Sequence, residues 1–100
     1  MEIVKDLRQG SYEITLKGKF TFSDHPSFRE ILQNIAQKEV RQVVLHMSGV
    51  EFVDSAALGM LLLARDEAEK HQKHLIISGA AGQVKKMFEM ARFNTLFTMN

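Results

Sequence analysis

Cysteine is absent from the 100-residue sequence, which excludes disulfide scaffolds, thiolate metal sites and cysteine nucleophiles. Long apolar runs are absent as well. The longest run, residues 60–64, is far shorter than the ~20 apolar residues that a membrane-spanning helix needs. The first ten residues contain no apolar signal core, so we expect a cytoplasmic protein that does not bind membranes.

A large excess of one charge is also lacking, because 13 Lys and Arg residues face 12 Asp and Glu residues and give a formal net charge of +1. Proteins that bind nucleic acid or an anionic membrane usually carry a basic surface, so the balance argues against both partners. Hydrophobic residues make up 45% of the chain. This length and composition predict a single folded domain, residues 1–100, with its own core.

Hydrophobic periodicity predicts strands that alternate with helices. Tyr12, Ile14 and Leu16 alternate with polar residues, which indicates a half-buried strand that pairs with residues 2–7 in an antiparallel hairpin. The remaining elements follow in turn. Helices are predicted over residues 23–38, 55–72 and 79–93, and strands over residues 42–47, 74–78 and 95–99. The order β-β-α-β-α-β-α-β predicts an α/β fold with mostly parallel strands and right-handed crossovers.

Familiar catalytic and phosphate-binding motifs are missing. The glycines form neither of the common phosphate-binding loops, and SGAAG at residues 78–82 is more simply a tight turn than an anion site. His71 and His74 lie near a predicted helix end, a position favourable for cationic side chains, so we expect no metal site. His46, inside a strand, is expected to be partly buried and hydrogen-bonded. Because no G-x-S-x-G motif surrounds Ser55, we expect a protein without catalytic activity or cofactors.

The clearest chemical feature is the pair Asp54 and Ser55, at the junction of a strand and a helix in EFVDSAALGMLLL, residues 51–63. Either side chain could cap the helix, which stabilises it by ~1 kcal/mol. A helix N-terminus also tolerates a phosphate, whose charge of about −1.5 to −2 suits the dipole and the free N–H groups. We therefore predict that phosphorylation of Ser55 leaves the fold intact and repels a partner docked beside it.

The helix after Ser55 lacks the polar outer face that helices facing water normally carry. At about 100° per residue, the core face is predicted to consist of Ala57, Leu61, Ala64 and Ala68. The opposite face begins with small or apolar residues. The predicted docking surface contains Ala56, Gly59, Leu63 and, at its border, Met60. Exposed apolar patches usually mark interaction sites, and the alternative is that another element of the domain covers this face.

Residues 43–68, VVLHMSGVEFVDSAALGMLLLARDEA, resemble the central signature of STAS domains, specifically of bacterial anti-sigma factor antagonists. The family pattern is an apolar strand, a polar and aromatic loop, and D-S-x-G-L-G leading into the second helix. Residues 54–59 match it as D-S-A-A-L-G. Residues 18–22 resemble the family's G-x-L-D segment, and residues 80–97 its third helix and last strand. The resemblance implies a mixed sheet of about five strands with helices packed mainly on one face.

The resemblance also implies a partner switch. In this family an anti-sigma factor with a serine-kinase fold phosphorylates the serine after the aspartate, and a metal-dependent serine phosphatase reverses the modification. The unphosphorylated protein binds the anti-sigma factor and frees the sigma factor. Ser55 is then the phosphosite, with Asp54 beside it. Single-domain relatives with DSAALGMLLL resemble members that control motility or biofilm through response regulators with kinase or phosphatase activity.

Two positions depart from the family pattern. The aspartate of G-x-L-D, which lies near the phosphosite in the family, is Thr21 here, so kinase recognition or metal-assisted chemistry is expected to differ. Asp24 is the candidate substitute, and we include Thr21, Ser23 and Asp24 in the expected partner-binding surface. The usual glycine before Leu58 is Ala57, a change that favours the helix.

Two other functions remain open. The same resemblance fits a STAS regulatory subunit of a transporter assembly, for example of a lipid or anion transporter, whose helix face docks permanently without a phosphate cycle. Direct nucleotide binding or hydrolysis is a further interpretation, and it depends only on the turn at residues 78–82.

Overall fold

The structure, a computed structural model, describes residues 1–100 and contains one five-stranded sheet with its strands in sequence order. The strands are Glu2–Arg8 (β1), Ser11–Phe20 (β2), Gln42–Val53 (β3), His74–Ser78 (β4) and Thr98–Met99 (β5). The helices are His25–Gln37 (α1), Ser55–Lys70 (α2), Gly82–Met90 (α3) and Phe93–Leu96 (α4), and a 3-10 turn at Phe22–Asp24 precedes α1. No helix is both long enough and apolar enough to cross a lipid bilayer.

The sheet is mixed, as predicted. β1 and β2 form an antiparallel hairpin, whereas β2, β3, β4 and β5 are parallel neighbours. Each crossover moves one position in the same direction, and right-handed crossovers of this kind place every helix on the same face of the sheet. The predicted α/β class and the placement of the helices on one face are confirmed.

One hydrophobic core lies between the sheet and the helices. Tyr12, Ile14 and Leu16 of β2 are buried, in agreement with the alternation in the sequence. α1 buries Phe28, Ile31 and Ile35, which recur at helical spacing along one face. The core is therefore built from strands whose apolar residues recur at every second position and from helices whose apolar residues recur about every 3.6 positions. Both patterns are visible in the sequence.

The strand predicted over residues 95–99 is mostly wrong. Arg92 adopts φ 58°, which ends the preceding helical segment, and Phe93–Leu96 then forms the short helix α4. The ring centroid of Phe93 lies 5.1 Å from that of Phe88 and 4.8 Å from that of Phe97. This aromatic cluster favours one helical turn here, and only Thr98–Met99 joins the sheet.

Candidate functional site

Asp54 lies where β3 ends and α2 begins, and its carboxylate joins two segments of the chain. Oδ1 accepts a hydrogen bond from the backbone N–H of Ala57 at 2.8 Å. Oδ2 accepts another from the backbone N–H of Phe22 at 3.1 Å. Asp54 therefore caps α2 and also holds the 3-10 turn against the start of that helix.

Ser55 is the first residue of α2 and is not its cap, which settles the choice between the two side chains. Its side chain is exposed, and its hydroxyl makes no hydrogen bond within the chain. The N–H groups of Ala57 and Leu58 are bound by Asp54, the second one at 3.2 Å by the Asp54 carbonyl. Since the first four N–H groups of a helix lack partners inside it, those of Ser55 and Ala56 remain unpaired.

The 3-10 turn brings Thr21, Ser23 and Asp24 to the same end of the sheet. The Thr21 N–H donates to Asp24 Oδ2 at 2.9 Å, and the Thr21 and Ser23 hydroxyl oxygens lie 2.9 Å apart. The amino nitrogen of Met1 lies 3.3 Å from Asp24 Oδ1. Both Asp24 oxygens therefore have partners in and around the turn. These contacts do not test whether Asp24 substitutes for the missing aspartate, and that role stays a prediction.

A side-chain amide fixes the strand end beside this junction. Gln83, in the first turn of α3, accepts a hydrogen bond from the Val53 N–H at 3.2 Å and donates one to the Val53 carbonyl at 3.2 Å. The amide thus pairs with the last residue of β3 as a neighbouring strand would. Gln83 was not predicted from the sequence, because a single polar residue in a helix gives no signal of a partner distant in the chain.

The outer face of α2 is largely uncovered, as the helical spacing predicted. Gly59 is exposed, Ala56 is half-buried, and Leu63 is 48% exposed at the edge of a groove of about 320 Å³ between α1 and α2. Met60 is a correction. It is only 4% exposed and belongs to the core, because the inward arc of α2 is wide enough to include this border position.

Two exposed aromatic residues near Asp54 were missed. Phe22, whose N–H binds Asp54, is 71% exposed, and Phe52 is also exposed. The β2–β3 register shifts so that Gly18 pairs with Val50 and the next residue with Phe52, and this irregularity turns Phe52 outward. The exposed residues Phe22, Phe52, Gly59 and Leu63 and the half-buried Ala56 together form what we name the apolar surface.

The family follows from comparison with known proteins. A family model described as "Mlab, STAS domain" matches residues 3–98, nearly the whole chain. The chain belongs to the STAS domain family. A STAS-domain containing protein of Pseudomonas aeruginosa is 31% identical over 87 residues, which cover 87% of this chain and 85% of that protein. An anti-sigma-B factor antagonist of Staphylococcus aureus is 24% identical over 89 residues, 89% of this chain and 82% of that protein.

Solved structures share the fold of this STAS domain. The anti-sigma factor antagonist SpoIIAA in its unphosphorylated form aligns with a TM-score of 0.77 at 19% identity, over 99% of this chain and 87% of that chain. The phosphorylated form of this Bacillus protein gives 0.77 at 17% identity, over 99% and 91%. A sulfate transporter family protein of Wolinella succinogenes gives 0.77 at 19% identity, over 92% and 75%. These identities show the fold alone.

The STAS domain carries one further polar cluster, on the sheet face that no helix covers. His46 Nε2 lies 2.6 Å from Glu13 Oε1, so His46 is partly buried and hydrogen-bonded as predicted. His71 instead contacts Glu67 at 3.4 Å, and no three His, Asp or Glu side chains are arranged to hold a metal ion. The turn at residues 78–82 contains Gly79 with φ 80°, a conformation that fits a tight turn.

Proposed function

We propose that this STAS domain is a phosphorylation-switched protein-binding module that acts as an anti-sigma factor antagonist in the cytoplasm. Its unphosphorylated form binds an anti-sigma factor with serine-kinase activity and releases the sigma factor, and a phosphate on Ser55 blocks that binding. The observation that carries the proposal is the free, exposed hydroxyl of Ser55 at the start of α2, next to a cap that Asp54 already provides.

The fold can accept a phosphate at this position. Capping of α2 depends on Asp54, so modification of the Ser55 hydroxyl removes no hydrogen bond from the structure. The unpaired N–H groups of Ser55 and Ala56 and the positive end of the helix dipole favour the added negative charge. Phosphorylation is therefore expected to leave the free energy of unfolding nearly unchanged.

A phosphate on Ser55 is unfavourable for a docked partner, although it is compatible with the fold. Three residues of the apolar surface, Ala56, Gly59 and Leu63, follow Ser55 along α2. The other two, Phe22 and Phe52, lie beside Asp54. A phosphate there places a dianion beside the Asp54 carboxylate, and a partner that covers the apolar surface has to desolvate this charge. Since about 1.4 kcal/mol corresponds to a tenfold change in affinity, repulsion and desolvation together suffice to release the partner.

The relatives support this role for the module. The S. aureus relative is an anti-sigma-B factor antagonist, and SpoIIAA exists in phosphorylated and unphosphorylated forms. In the proposal the chain has no catalysis and no cofactor of its own. The partner kinase supplies the phosphate, and a separate serine phosphatase, either alone or fused to a response regulator, removes it.

A regulatory STAS subunit of a transporter assembly is the second candidate. It is favoured by the shared fold with the sulfate transporter family protein. In that case the apolar surface docks permanently on another subunit, and Ser55 serves no switch.

Affinity capture from cells that produce the protein separates the two candidates. The wild-type chain is used as bait, and the captured partner is then incubated with the chain and ATP before mass spectrometry. We expect a serine kinase among the captured proteins and phosphate on Ser55. Ser55→Ala should lose the modification, whereas Ser27→Ala, at an exposed serine on α1, should keep it. A captured transporter ATPase with Ser55 unmodified would support the second candidate and contradict the first.

A further inference from the structure

β1 is an edge strand that lacks a neighbour on one side. Its seven residues pair only with β2, and six of them are exposed. The opposite edge strand, β5, has two residues. On the helix side, an open groove of about 510 Å³ lies between β1 and α1. β1 is thus the one extended edge of the sheet, and Ile3 is the one residue of the strand that packs partly against the core.

β1 lacks two of the devices that protect an edge strand from pairing, proline and a bulge, although it does carry the charged residues Glu2, Lys5, Asp6 and Arg8. It contains no proline, and its register with β2 runs without a bulge from Glu2 to Arg8. Val4 and Leu7 expose about half of their apolar side chains to solvent. Lys5, the residue type that most often protects an edge, places its Nζ atom 2.8 Å from Glu30 Oε1 on α1, so its charge is compensated.

The strand is complementary to itself in antiparallel pairing. A two-fold axis perpendicular to the sheet through Lys5 places Glu2 opposite Arg8 of a second copy and Ile3 opposite Leu7, each twice. Residues directly opposite in an antiparallel pair lie on the same face and interact. This register gives two opposite-charge pairs and two apolar pairs, together with two less favourable pairs of Val4 with Asp6. The like-charged pair at the centre, Lys5 with Lys5, is offset by Glu30 in each copy.

We infer that two copies of this chain associate through β1, so that an antiparallel β1–β1 junction joins their two sheets into one continuous ten-stranded sheet. In an antiparallel ladder every second residue turns its N–H and C=O groups toward the open edge, and pairing satisfies them. Two seven-residue strands bury less area than the ~1,200 Å² of a standard stable interface. The dimer is therefore weak and depends on concentration, and its formation does not involve Ser55 or the apolar surface.

Sedimentation equilibrium of the full chain over a range of concentrations tests the inference. The average mass is expected to rise from the 11.4 kDa of the monomer toward twice that value. Leu7→Lys should abolish the rise, whereas Met90→Lys, at an 81% exposed residue on α3, should not change it. Amide exchange of β1 residues should slow at high concentration.

Charge reversal provides the more specific test. Arg8→Glu places like charges opposite each other twice and should weaken dimerisation about tenfold. The double variant Glu2→Arg, Arg8→Glu restores opposite charges and should recover most of the affinity, and Ser55→Asp should leave the dimer unchanged. A chain that stays monomeric at several hundred micromolar overturns the inference. A dimer that survives both Leu7→Lys and Arg8→Glu overturns it as well.

Discussion

Asp54 Oδ2 accepts a hydrogen bond from the backbone N–H of Phe22 at 3.1 Å, and this contact joins residues 32 positions apart in the chain. The other oxygen of the same carboxylate caps α2. Asp54 thus has a structural role in the fold, whereas the Ser55 hydroxyl makes no hydrogen bond within the chain. This division of roles has consequences for stability and for binding that can be measured separately.

Asp54→Ala is expected to lower the free energy of unfolding by about 1–2 kcal/mol, because it removes the α2 cap and the contact to Phe22. Ser55→Ala is the matched control. It should change stability by less than ~0.5 kcal/mol, since the Ser55 hydroxyl has no partner in the chain. Urea unfolding of both variants checks this, and equal losses for the two would contradict the assignment of the cap.

Gly59→Ala should raise stability and lower partner affinity at the same time. A Cβ atom at Gly59 meets no other element within 4 Å, and alanine favours a helix interior by up to ~1 kcal/mol over glycine. The same methyl group projects from the apolar surface toward a docked partner. Thermal unfolding and titration calorimetry with the captured partner measure the two effects. An unchanged affinity in a stabilised variant would show that the partner does not cover Gly59.

Phe22→Ala is expected to weaken partner binding by about 2 kcal/mol, roughly 30-fold, because exposed aromatic residues often dominate interface energies. Stability should change little, since the side chain is mostly exposed in the free protein. Met90→Ala removes an apolar residue on α3 that is even more exposed, and it should leave binding intact. Similar losses of affinity in both variants would place the interface elsewhere.

Glu13 makes part of the stability depend on pH. The hydrogen bond from the Ser11 hydroxyl, followed by that with His46, holds the pKa of Glu13 below its ordinary value. A lowered pKa in the folded state stabilises the protein above the unfolded-state pKa of ~4.3. This contribution is lost as pH falls through the folded-state value. The stability difference between wild type and Glu13→Gln should therefore shrink below pH ~4, and a constant difference in urea unfolding from pH 7 to 3 would contradict this.

Much of the fold could be predicted from the sequence because its periodicity is local. β2 alternates and α1 carries an apolar stripe, and both patterns survive in the structure. The chain end could not be predicted in the same way. Residues 93–97 contain strand-favouring residues, but the contacts of Phe93 with two other aromatic rings depend on tertiary structure.

The candidate site, too, could be predicted from the sequence only where the pattern is local. Ser55 and the uncovered face of α2 could be found from residue type and helical spacing. Met60 was misplaced because the width of a buried arc depends on what packs against the helix. The exposure of Phe52 follows from a register shift, and the role of Gln83 from a contact 30 residues away in the chain. Neither feature leaves a pattern in neighbouring residues.

The central claim is that a phosphate on Ser55 controls binding without altering the fold. The most direct measurement compares the unmodified and Ser55-phosphorylated chains for their affinity to the captured partner, by calorimetry, and for their melting temperature. We predict a loss of affinity of at least ~1.4 kcal/mol, or tenfold, with a melting temperature that stays nearly constant. Equal affinities, or a large fall in melting temperature that accounts for the lost binding, would contradict the claim.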